Sequence, residues 1–75
     1  MTNAVTNRHI VPCRHKGAEK RIYVVWKGDD DGKTEMDSAM TKFGETEYDG
    51  DASPAEHFKK IVAFLLSHGF EEIKA

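Results

Sequence analysis

One cysteine and two prolines stand in the sequence, and its longest apolar stretch is IVAFLL at 61–66. Each scarcity excludes something. A lone cysteine cannot close an internal disulfide, whereas a secreted domain this small ordinarily carries several, so a reducing, cytoplasmic setting is expected. The apolar stretch falls far short of the roughly 20 residues that span a bilayer, so no membrane partner is expected. The opening residues MTNAVTN have neither the basic start nor the apolar run of a secretion signal. There is no CxxC pair and no glycine-rich phosphate loop, and no cofactor or enzymatic chemistry is expected from motifs.

What remains is a chain of 75 residues, enough for one domain that buries only about 60% of its unfolded surface. Its apolar fraction of 39% is ordinary for a globular protein. Residues 1–7 have no periodicity and are expected to be a flexible tail, with a single domain over 8–75.

Net charge is only −2, but it is unevenly spread. Residues 1–27 carry six basic side chains against Glu19, a balance of +5. Residues 28–51 carry nine acids against Lys33 and Lys42, a balance of −7. The last third is neutral.

The firmest local element is a helix over residues 53–68. Ser53 suits the N-cap, Pro54 the first helical position, and Glu56 completes a capping box. Phe58, Ile61, Val62, Leu65 and Leu66 then form one apolar stripe, and Gly69 ends the helix in the left-handed C′ role. KRIYVVW at 20–26 is a strand, with Ile22, Val24 and Trp26 on its core face. RHIVPCRH before it is also extended, placed at an edge by Pro12, and Gly17 serves the turn between the two. The Asp31-Gly32 pair marks a turn.

Residues 33–51 fit two patterns. Met36, Met40 and Phe43 suit a short helix stopped by Gly44, while Met36, Ser38 and Met40 share one face of a strand. A third strand is the favoured reading. FEEIKA is read as a short final strand. The expected fold is α+β: an antiparallel sheet of three to four short strands with one amphipathic helix packed on one face, in the order β-β-(β)-α-β. The expected core is Val11, Ile22, Val24, Trp26, Phe58, Ile61, Val62, Leu65, Leu66 and Phe70, completed by Met36 or Met40.

Three functional readings follow, from different classes. The leading one is a non-enzymatic protein-binding module, an inhibitor or adaptor in the manner of small proteins of phages and other mobile elements. Its carboxylates Asp29, Asp30, Asp31, Glu35, Asp37, Glu45, Glu47, Asp49 and Asp51 would engage a basic nucleic-acid-handling protein by electrostatic steering. A second contact strip is expected on the helix flank: Phe64 falls outside the apolar stripe, bordered by His57 and His68, and would meet a partner or a second copy in a homodimer. The competing expectation is that residues 33–51 fold over Phe64.

The second reading is nucleic-acid binding through Arg14, Arg21, Tyr23 and Lys27, with cations on phosphates and the tyrosine stacked on a base. Pairing of the basic and acidic segments with each other would oppose it. The third is metal binding through His9, Cys13 and His15, which share one face of a strand but lack a fourth ligand. Cys13 also lacks the adjoining glycine turn or helix N-terminus that would lower its pKa for nucleophilic work. The GDDDG stretch does not match a calcium loop, since setting Gly32 as the loop glycine puts Lys27 at the first ligand position.

Overall fold

A computed structural model describes residues 6–74, and residues 1–5 of the expected tail lie outside the described residues. Asn7 is already tied to the sheet: its carbonyl accepts from the Trp26 N–H at 2.8 Å, and its side-chain amide donates to the Trp26 carbonyl at 2.7 Å.

Two strands, β1 (Arg8–His15) and β2 (Ala18–Trp26), form an antiparallel hairpin. Its turn is the pair Lys16-Gly17, both at positive φ (52° and 83°), the conformation whose twist matches the flanking strands. A short β3 (Phe70–Glu72) pairs antiparallel with β2, so β2 is central and Pro12 lies on an edge strand, where its missing N–H costs no ladder bond.

The helix α2 (Pro54–Ser67) has the predicted start. Ser53 Oγ accepts from the Glu56 N–H at 3.2 Å, and the Glu56 carboxylate accepts from the Ser53 N–H at 3.4 Å. Phe58, Ile61 and Leu65 are buried against the inner sheet face of Val11, Cys13, Ile22, Val24 and Phe70. Gly69 at φ 94° then turns the chain into β3.

The stretch after β2 departs from the favoured reading. Residues 33–46 are a second helix, α1 (Lys33–Thr46), so the order is β-β-α-α-β and the α+β sheet carries two helices. A strand would have set Ser38 beside Met36 and Met40 on a core face; as a helix, α1 buries Met36, Ala39 and Phe43 with Met40 half-buried, and leaves Ser38 in water. Asp31-Gly32 is not a hairpin turn but the entrance to α1. Gly32 adopts φ 75° as the N-cap, and the carboxylates of Asp30 and Asp31 accept from the N–H groups of Gly32 and Lys33 at 3.1 and 2.9 Å. Gly44 does not stop the helix, which runs through it to Thr46.

Leu66 also departs from the expected core, at 48% exposed. A three-stranded sheet closed on one side by a three-residue strand is too narrow to cover the far edge of the stripe. Phe43, Ala39, Cys13 and Ala52 fill the core instead. No helix among the described residues is long and apolar enough to cross a membrane.

Candidate binding surface

The helix α2 packs on one face of the sheet and α1 packs against α2, so the other face is open. Strand alternation sends Arg8, Ile10, Pro12 and Arg14 of β1 and Glu19, Arg21, Tyr23 and Val25 of β2 to that side. The register places Ile10 opposite Tyr23, Arg8 opposite Val25, Pro12 opposite Arg21 and Arg14 opposite Glu19. Val25 in turn faces Glu71 of β3, and the Ile73 N–H bonds to the Tyr23 carbonyl at 2.8 Å. Ile10, Tyr23 and Ile73 thus make a continuous apolar row across the sheet, exposed by 59%, 45% and 40%. A shallow hollow of about 390 Å³ is lined by Arg8, His9, Ile10, Tyr23 and Ile73. Monomeric proteins seldom leave large side chains of neighbouring strands clustered in water without a use for them.

The same face is locally basic. Lys27, one residue past β2, continues the alternation of Arg21, Tyr23 and Val25, and its N–H bonds to the Gly69 carbonyl at 3.0 Å. Of the four residues proposed for nucleic acid, Arg14, Arg21, Tyr23 and Lys27, all are exposed and all belong to this side. Arg14 is held by its cross-strand neighbour Glu19 at 2.6 Å. Among the described residues, ion pairs join Arg14 to Glu19 and Lys33 to Asp37, and none joins the basic strands to the acidic segment.

The acidic side chains are not brought into one row. Asp29, Asp30, Asp31, Glu35 and Asp37 cluster at the N-terminal end of α1, and Glu45, Glu47, Asp49 and Asp51 at the other. Along α1 the nearest members of the two groups, Asp37 and Glu45, are eight residues and so about 12 Å apart. Several carboxylates are occupied: Asp30 and Asp31 cap the α1 entrance, Asp37 pairs with Lys33 at 3.5 Å, and Asp49 accepts from the Asp51 N–H at 2.9 Å. First-turn acids such as Glu35 also offset the positive end of the helix dipole.

The helix-flank trio divides. His68 stacks on Phe64, ring centroids 4.1 Å apart, and its Nδ1 lies 2.8 Å from the Phe64 carbonyl. Phe64 is half-buried, with the Phe43 ring edge-on at 5.6 Å, so the segment 33–51 does fold over it. His57 lies two turns before Phe64 on the same flank of α2, but it is buried there, stacked against His15, with the Phe43 ring edge-on to it as it is to Phe64.

The potential metal ligands point to separate partners. The His9 ring meets the Asp31 carbonyl and the edge of Phe70, Cys13 is buried with its Sγ 3.5 Å from the Val11 carbonyl, and the His15 ring bonds Ala52. Among the described residues no three His, Cys, Asp or Glu side chains are grouped to hold a metal ion. Burial pushes the Cys13 thiol pKa up, against a smaller downward pull from Lys20, which favours the inert thiol.

The cluster of His15, Phe43, Tyr48 and His57 was not foreseen. Its only signal was His15 on the inward parity of β1, since the ring that covers it is 42 positions along the chain. Comparisons with protein-family models, curated proteins and solved structures find no match for this chain.

Proposed function

We propose that this protein is a non-enzymatic binding module that lays a single-stranded nucleic acid across the open face of its sheet. One observation carries the reading: an exposed tyrosine in an apolar row lies on the same surface as Arg8, Arg21 and Lys27, with no ion pair tying these cations to the acidic segment among the described residues. Tyr23 would stack on a base, Ile10 and Ile73 would flank that base, and the cations would meet phosphates. The acids of residues 28–51 sit at the two ends of α1, while on the open face itself Glu19 is engaged by Arg14 and Glu71 stands opposite Val25.

Fluorescence anisotropy with short labelled RNA and DNA single strands tests this. Micromolar affinity that weakens with salt is expected. Tyr23→Ala should weaken it by roughly 5- to 100-fold, the cost of one stacked base, and Arg21→Ala should reduce the salt slope by about 1. Absence of binding at micromolar protein in low salt would refute the reading.

A second reading keeps the protein as an inhibitor or adaptor in a reducing, cytoplasmic setting. The Phe64–His68 stack favours it, with His68 exposed and Phe64 half-buried, beside a hollow that Glu47, Lys60 and Phe64 line together. Its partner would be a basic nucleic-acid-handling protein, or a second copy of the chain. Pull-down of such a partner, weakened by salt and by joint substitution of Asp29, Asp30 and Asp31 to Asn, supports it; retention through both changes counts against it.

A further inference from the structure

His15 on β1 and His57 in the first turn of α2 are both buried, at 4% and 6% exposed. Their rings lie nearly parallel, 9° apart, with centroids 4.1 Å apart. Tyr48, from the connection between α1 and α2, packs edge-on against both, and Phe43 of α1 packs edge-on against His57. The His15 Nε2 lies 2.6 Å from the Ala52 carbonyl. A carbonyl only accepts, so this nitrogen donates. Lys16 reinforces the junction, donating from Nζ to the Asp51 carbonyl at 3.0 Å. Two side chains at the end of β1 thus pin a connection more than thirty residues away, and the stack holds that strand end against α2.

We propose that the His15–His57 stack is a proton-operated clamp, holding the connection of residues 47–53 against the β1–β2 hairpin while both rings are neutral and releasing it in acid. Two imidazolium rings cannot share a dry stack at this distance, because each would lose its hydration and face a like charge. The other groups around the pair do not compensate. Cys13 is a neutral thiol, Tyr48 a neutral phenol, and Lys16 and Lys60 are cations. Asp49 and Asp51 lie in the connection itself, and Glu56 is bound to Ser53 in the capping box. Among the described residues neither histidine has a carboxylate partner. His57 also sits at the positive end of the α2 dipole, which disfavours a further positive charge.

Burial first, then His15, then Lys60 hold the His57 pKa below its ordinary value. Once the connection is released and water reaches the stack, His57 takes its proton near the ordinary histidine value of about 6.5. The released form therefore binds more protons than the clamped form, so closure is complete above that pH. It is lost progressively as pH falls through it and on through the clamped value.

Histidine ring titration by NMR, with amide exchange of residues 47–53 at neutral and mildly acid pH, tests the clamp. His57 should titrate below the ordinary value, with protection of the Ala52 amide falling at least fivefold, after correction for intrinsic exchange, over the same interval. His57→Phe, which stacks but does not titrate, should keep that protection in acid. A His57 ring titrating at or above the ordinary value, protection that is equal at both pH values, or equal loss in His57→Phe would each overturn the proposal. If His57→Phe does not fold, the two wild-type measurements decide it.

Discussion

Gly32 stands so close to Trp26 that an ideal Cβ on the glycine would lie 2.4 Å from the indole Cγ. Gly28 and Gly69 approach the same ring, at 2.3 Å from Nε1 and 2.8 Å from Cζ3 by the same measure. Three glycines from two connections clasp one tryptophan, which is half-buried and packs on Phe70 at the edge of the core. The clasp joins the exit of β2, the entrance of α1 and the end of α2.

Gly32→Ala should therefore destabilise the fold by roughly 2–4 kcal/mol, through a forced shift of the indole and a positive φ that alanine resists. Urea unfolding followed by Trp26 fluorescence measures it. A loss under about 0.5 kcal/mol, the scale of ordinary surface substitutions, would show that the ring is not confined.

Gly44 is the opposite case. It lies inside α1, and an added Cβ there meets nothing within 4 Å. Gly44→Ala is expected to raise stability by about 0.5–1 kcal/mol, because alanine loses less backbone freedom in a helix. A higher urea midpoint at unchanged slope would confirm it, and an unchanged or lower midpoint would contradict the helical assignment of residues 33–46.

Leu65 and Leu66 are adjacent in sequence and opposite in consequence. Leu65 is fully buried, so Leu65→Ala should cost about 3–5 kcal/mol in transfer and cavity terms. Leu66→Gln should stay within about 0.5 kcal/mol, since the side chain already meets water. Comparable losses from both would mean that something covers Leu66 in solution.

Much of the fold was legible because its signals are local. The capping box of Ser53 and Glu56, Gly69 after the last turn, and the alternation of Ile22, Val24 and Trp26 each act within a few residues, and each appears as expected. Residues 33–51 were misread because Met36 and Met40 satisfy both periods, and because Asp-Gly suits a helix entrance as well as a hairpin. The open-face residues Arg14, Arg21, Tyr23 and Lys27 could be grouped from strand parity alone. Ile10 and Ile73 join them only through the pairing of three strands.

The sequence by itself determined the α2 helix, the two-stranded hairpin and which side of β2 would be buried, since helix caps, turn residues and side-chain alternation are properties of neighbouring positions. Only the tertiary structure decided that α1 is a helix, that Leu66 is left in water and that His57 stacks on His15. Those outcomes depend on which surfaces remain uncovered once a narrow sheet has met its first helix, and that geometry is set by residues far apart in the chain.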